Sequence, residues 1–143
     1  MVREGPSIIE RSMDLRSLSA WCLLLILVCL ASAQTSSQVP VMDGGAGKCS
    51  ILLTVMSDGK PVYSANVKVH IEYGFGGFHR LDLEAYTNSD GKVKFTGLPA
   101  KAKNAPLAFR ATKDQLAGIA SYDPAVECQA THDLPLEKQT AKP

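Results

Sequence analysis

Two hydrophobic patterns divide the chain. Ten apolar residues follow one another without a break at residues 21–30, whereas apolar and polar residues alternate with a period of two from Cys49 onward. Alternation of this kind predicts half-buried β-strands. The pattern predicts seven strands, at residues 49–55, 67–73, 81–86, 93–95, 107–111, 116–122 and 128–136.

Turn-forming sequences separate the predicted strands, and no segment has the periodicity of an amphipathic helix. The strongest turn signals are Asp58-Gly59 and Asn88-Ser89-Asp90-Gly91, since glycine adopts positive φ without strain. We therefore expect an all-β fold, an antiparallel Greek-key β-sandwich of seven (six to eight) strands over residues 49–136. The polar, Gly-rich residues 34–48 are interpreted as a flexible linker and residues 137–143 as a disordered tail.

The apolar run at residues 21–30 is about half as long as a membrane-spanning helix, which needs about 20 residues. It matches the centre of a secretory signal peptide, because the small-residue sequence Ala31-Ser32-Ala33 follows it. We predict a signal peptide over residues 1–33, cleavage between Ala33 and Gln34, and a secreted or periplasmic protein without stable membrane insertion. The pattern leaves open a start at Met13 and retention of the segment as an anchor.

The number and positions of the cysteines fit an exported protein. Cys22 and Cys29 lie in the segment predicted to be removed, so that Cys49 and Cys128 remain. In an oxidising compartment such a pair is expected to form a disulfide, and the two residues open the first and last predicted strands. A redox or metal thiol site is disfavoured, because the sequence has no Cys-x-x-Cys spacing and no Cys/His cluster.

Charge and motifs exclude several classes of function. The formal net charge is +1 without basic or acidic blocks, which disfavours nucleic-acid binding. No Gly-x-Ser-x-Gly motif is present, and Asp82 and Glu84 fit a polar strand face more simply than a catalytic carboxylate pair. His70, His79 and His132 lack metal-ligand spacing and are interpreted as solvated surface residues. The sequence predicts no catalytic residue, no metal and no cofactor.

Two segments resemble a known family. Residues 58–69 (DGKPVYSANVKV) and 87–99 (TNSDGKVKFTGLP) are similar to the carboxypeptidase regulatory-like domain, one of the transthyretin-like or prealbumin-like sandwiches, over roughly residues 50–111. The resemblance implies a transthyretin- or immunoglobulin-like sandwich, and such domains serve as structural or ligand-binding modules. The matching residues are Gly59, Pro61, Ala65, Thr87, Gly91 and Gly97-Leu98-Pro99.

One loop stands out as a candidate binding surface. Residues 73–78 place Tyr73, Phe75 and Phe78 among three glycines, and exposed aromatic side chains often anchor interfaces. The alternative is that Phe75 or Phe78 folds back and plugs the end of the sandwich. Alternation predicts that Tyr73 faces the core, and we expect Phe75 to be the more exposed phenylalanine.

These observations favour an exported, non-enzymatic module for binding or structural support at the cell envelope or outside the cell. Its partner is expected to be a protein or a carbohydrate. The alternative is a small hydrolase of the hydroxyisourate hydrolase type, which the resemblance suggests but which the absence of a C-terminal Tyr-Arg-Gly-Ser sequence disfavours. A third possibility, an electron-transfer or metal-binding sandwich, needs a His/Cys/Met cluster.

Overall fold

The computed structural model describes residues 37–140, which form ten β-strands and a short 3₁₀ turn at Phe75–Gly77. Seven of these strands have seven or more residues and coincide with the seven strands predicted from alternation, so that prediction is confirmed. The strands are β1 (Val41–Asp43), β2 (Cys49–Ser57), β3 (Lys60–Pro61), β4 (Asn66–Tyr73), β5 (His79–Tyr86), β6 (Lys92–Leu98), β7 (Leu107–Lys113), β8 (Leu116–Tyr122), β9 (Gln129–Pro135) and β10 (Glu137–Lys138).

The strands form two sheets. The first has the order β1-β6-β2-β3, with β9 also paired to β2, and the second has the order β10-β8-β7-β4-β5. The all-β, two-sheet prediction is therefore confirmed. The expectation of antiparallel pairing throughout is wrong for two pairs, because β1 runs parallel to β6 and β9 runs parallel to β2. The chain leaves the second sheet at Tyr122 and enters β9 beside the start of β2, which makes those two strands run the same way.

The core lies between the sheets and is built from the alternating apolar positions. Ile51, Leu53 and Val55 of β2 are fully buried, as alternate side chains of one strand share a face. An aromatic pair joins the sheets, with the ring centroids of Phe95 and Phe109 5.2 Å apart. Such offset or tilted pairs add to the stabilisation from apolar burial.

The tight turns between the strands depend on glycine and a left-handed backbone. Asp58 and Gly59 both have positive φ, 51° and 74°, the conformation of a two-residue hairpin turn. Gly91 has φ 71°, and a Cβ atom there would lie 2.5 Å from the Val55 carbonyl oxygen. Any other residue at position 91 would have to displace the β2 backbone.

Two boundary predictions are wrong. Residues 34–48 are not all linker, because Val41–Asp43 pairs with β6 and Met42 packs against the core. The predicted tail also contains a strand, because Glu137–Lys138 pairs with Leu116 and Ala117 of β8. Both segments are too short to show alternation, and neighbouring strand edges order them.

The predicted signal peptide and its cleavage site between Ala33 and Gln34 lie outside the described residues. Within residues 37–140, no helix is long and apolar enough to cross a membrane.

Candidate functional site

The predicted aromatic segment connects β4 to β5 and makes a tight turn, which we call the aromatic loop (residues 73–78). Gly74, Gly76 and Gly77 all have positive φ, between 67° and 82°. A Cβ atom on Gly74 would lie 2.5 Å from Cδ2 of His79. Glycine is therefore required there both by the backbone conformation and by the close approach of the imidazole ring.

The aromatic side chains of the loop point in different directions. Tyr73 is half-buried against the core and stacks on His79 with ring centroids 5.3 Å apart. Phe75 and Phe78 are 94% and 81% exposed. Neither phenylalanine plugs the end of the sandwich, and both present their rings to solvent.

A neighbouring loop, residues 99–106, braces the aromatic loop. The Lys103 ammonium donates a hydrogen bond to the Gly76 carbonyl oxygen at 3.1 Å, and the Lys103 backbone N–H donates to the Glu72 carbonyl at 2.7 Å. Tyr73 also forms a β-bridge with Ala102. The loop that carries the two exposed rings is thus held at its base and at its tip.

The disulfide predicted from the sequence is present at the same end of the sandwich. Cys49 and Cys128 are bonded with their Cα atoms 4.6 Å apart. Beside them, the Tyr122 hydroxyl donates to the Cys128 carbonyl at 2.8 Å. Burial, with the nearby carboxylates of Glu127 and Asp123, raises the pKa of Tyr122 to about 12, so this hydroxyl remains a donor across the physiological range.

A second site, which the sequence analysis missed, lies on the outer face of the second sheet. Pairing of β4 with β7 runs from Asn66–Thr112 to Lys68–Arg110 and does not continue to Val69 and Phe109, the next residues in register. The separation leaves a groove of about 510 Å³, which we call the β4–β7 groove.

Asn104 closes one end of the β4–β7 groove. Its side chain makes the hydrogen bonds to β4 that β7 does not make there. Its side-chain oxygen accepts a hydrogen bond from the Glu72 N–H at 2.9 Å, and its side-chain nitrogen donates to the His70 carbonyl at 2.9 Å. One amide thus satisfies two backbone groups that β7 would otherwise have paired.

The carboxylates beside the groove already have polar partners, and two of them contact the same histidine. Asp82 Oδ1 lies 2.6 Å from His70 Nδ1, and Glu72 Oε1 lies 3.5 Å from His70 Nε2. The hydrogen bond to Asp82 is the main cause of a raised pKa at His70. Asp82 therefore pairs with a histidine, whereas Glu84 has other partners.

Glu84 forms its own group with two neighbours on β4. It accepts a hydrogen bond from Asn66 and forms an ion pair with Lys68, whose Nζ lies 3.6 Å from Glu84 Oε1. The hydrogen bond from Asn66 is the largest contribution to the lowered pKa of Glu84. Both carboxylates predicted to lie on a polar strand face are there, on the β5 side of the groove.

The other two histidines lie elsewhere. His79 stacks on Tyr73 in the aromatic loop, and His132 is half-buried against Tyr122, with its Nε2 3.4 Å from Glu127 Oε2. Of the histidines interpreted as solvated surface residues, His132 keeps 35% of its side chain exposed, against 47% for His70. Among residues 37–140, no three His, Cys, Asp or Glu side chains are arranged to hold a metal ion.

Comparison with known proteins finds likenesses among solved structures. No protein-family model matches the sequence, and no curated protein matches it. Six solved chains match, among them catechol 1,2-dioxygenase from Acinetobacter sp. ADP1 inhibited by bound mercury, at a TM-score of 0.46 and 12% identity. The alignment covers 75% of this chain and 63% of the dioxygenase, less than two thirds of that protein.

Proposed function

We propose that this chain is an exported, non-enzymatic β-sandwich module that binds a protein or carbohydrate partner at the cell envelope or outside the cell. The aromatic loop is its contact surface. The observation that carries the proposal is the exposure of Phe75 and Phe78, 94% and 81%, three residues apart on one short turn. Burying a phenylalanine side chain contributes about 1.5–3 kcal/mol, so a partner that covers both rings gains substantial affinity.

The bracing of the loop supports a role in binding. Association costs free energy when flexible groups must become ordered. Here the Lys103 hydrogen bond to Gly76 and the Tyr73–Ala102 bridge already hold the turn in the free protein. The exposed rings are therefore presented on an ordered support, which lowers the cost of binding.

Export is the second part of the proposal. The predicted signal peptide over residues 1–33 directs the chain out of the cytoplasm, and the Cys49–Cys128 disulfide is compatible with an oxidising compartment. The Greek-key connectivity and the transthyretin-like relationship belong to the same proposal. In this account the sandwich is a rigid support, and the loop at its end provides recognition.

Cosedimentation tests the proposal. Protein exported by its producing cells is mixed with envelope fragments and with insoluble extracellular material from the same cells, and the bound fraction is measured. We expect saturable binding that falls at least tenfold in the Phe75→Ala/Phe78→Ala double variant. Ile119→Ala is the matched control, since Ile119 is a 58% exposed apolar residue on β8, away from the loop. Equal binding by all three proteins, or retention of the chain in the cytoplasm, would refute the proposal.

A further inference from the structure

The β4–β7 groove contains one cation without a partner. Lys68 is paired with Glu84, and His70 is held by Asp82 and Glu72. Arg110 lies directly opposite Lys68 across the strand pair, and it makes no ion pair among residues 37–140. Like charges opposite each other in a sheet are mutually destabilising, so an anion bound at Arg110 would relieve the repulsion between the two side chains.

The charge balance of the groove determines what kind of anion fits. Among the residues that line the groove, the charge of Lys68 is matched by Glu84, and the charge of a protonated His70 by Asp82. Glu72, which also contacts His70, lies outside the groove lining and is paired in register with Arg80. Only the charge of Arg110 remains, which corresponds to a ligand with a single negative charge. A carboxylate meets this requirement and also matches the planar guanidinium, which binds it through two parallel hydrogen bonds.

The remaining surface of the groove is suited to a small ligand that carries hydroxyl groups. Beyond Arg110 the groove is lined by the small residues Ala108 of β7 and Pro106 just before β7, which leave room for a ring. Asp82 and Glu84 line the other side, and each carboxylate has a second oxygen that can accept a hydrogen bond from a hydroxyl group. The groove volume of about 510 Å³ lies within the usual range for small-ligand sites.

We propose that the β4–β7 groove is a binding site for a hexuronic acid, with Arg110 binding the sugar carboxylate and the sugar ring lying over Ala108 and Pro106. The site is separate from the aromatic loop and gives the chain a second ligand of defined chemistry.

Isothermal titration calorimetry with three sugars tests the charge requirement. We expect the exported protein to bind glucuronate saturably, and to bind glucose at least tenfold more weakly because glucose lacks the carboxylate. Glucose 6-phosphate should also bind at least tenfold more weakly, since its second charge faces Asp82 and Glu84. Absence of saturable glucuronate binding, or equal affinity for glucuronate and glucose, overturns the proposal.

Variants identify the groove as the site of binding. Arg110→Gln should weaken glucuronate binding at least tenfold, and Ala108→Leu should do the same by filling the floor. Arg80→Gln is the matched control, since Arg80 lies on β5 opposite Glu72 and outside the groove lining, and it should bind as the parent does. Unchanged melting temperatures establish that the variants are folded.

The Phe75→Ala/Phe78→Ala variant should also keep glucuronate binding, so that the groove and the aromatic loop are tested separately. Glucuronate binding that survives Arg110→Gln, or that requires Phe75 and Phe78, overturns the assignment.

Discussion

The Thr87 hydroxyl donates a hydrogen bond to the Val62 carbonyl at 2.6 Å and accepts one from the Ala65 N–H at 2.9 Å. Thr87 is only 3% exposed, and Ala65 is fully buried. A single side chain that follows β5 therefore holds the segment that leads from the first sheet into β4.

Thr87→Val should destabilise the fold by about 1–3 kcal/mol, because it keeps the shape of the side chain and leaves the buried Ala65 N–H and the half-buried Val62 C=O without this partner. Thr112→Val, on the exposed face of β7, is the control and should change stability by less than about 0.5 kcal/mol. Urea titration of both variants measures the difference. Equal stability of the two would show that the Thr87 hydroxyl is replaceable by water.

Removal of the disulfide should lower the stability of the fold, because the disulfide closes a long loop of the chain. Cys49 and Cys128 are 79 residues apart, and a crosslink over such a loop restricts the unfolded ensemble by an amount equivalent to about 4–5 kcal/mol in the chain-entropy model. We expect the Cys49→Ala/Cys128→Ala variant to lose about 2–5 kcal/mol in a denaturant titration. Reduced wild-type protein should match the variant, and a variant as stable as the oxidised protein would contradict this prediction.

The two exposed phenylalanines should contribute little to stability. Phe75→Ala and Phe78→Ala are each expected to change the free energy of unfolding by less than about 0.5 kcal/mol. Phe109→Ala is the matched control, because Phe109 is fully buried in the core, and it should cost about 3–5 kcal/mol. A large loss of stability in either loop variant would mean that the aromatic loop is structural.

His70 should make stability depend on pH. Asp82 holds the pKa of His70 above its ordinary value of 6.5 in the folded protein. The stabilisation is therefore fully present below pH 6.5 and is lost as the pH rises through the folded-state pKa. An NMR titration of the His70 ring should give a midpoint above 6.5, and Asp82→Asn should move it back towards that value. An unchanged midpoint in Asp82→Asn would contradict the assignment of Asp82 as the main cause.

Much of the fold could be predicted from the sequence because its determinants are local. Period-two alternation places the same residues in the core that the structure buries, and Asp58-Gly59 and Gly91 mark turns by their backbone conformation. The Cys49–Cys128 pair followed from the count of cysteines left after the predicted cleavage. The short strands β1 and β10 were missed because each is ordered by the edge of a longer strand, and a segment of two or three residues carries no periodicity.

The candidate sites were likewise only partly predictable from the sequence. The aromatic loop was visible in the sequence as three aromatic residues among glycines, although the direction of each ring was not. The β4–β7 groove was not visible, because the sequence of β7 does not reveal which residues of β4 it will pair with. Asn104 and Pro106 just before β7 were the available signal, since an amide and a proline both interrupt regular strand pairing.

Site-specific photo-crosslinking at position 75 tests the central claim most directly. A photoreactive phenylalanine analogue replaces Phe75 in the exported chain, and cells are irradiated without disruption. The account predicts a discrete crosslinked species outside the cytoplasm, whose partner is identified by mass spectrometry as a protein or a carbohydrate. The same analogue at Ile119, on the exposed face of β8, should not give that species. The absence of a species specific to position 75, or an identical product from position 119, would contradict the claim that the aromatic loop is the contact surface of an exported binding module.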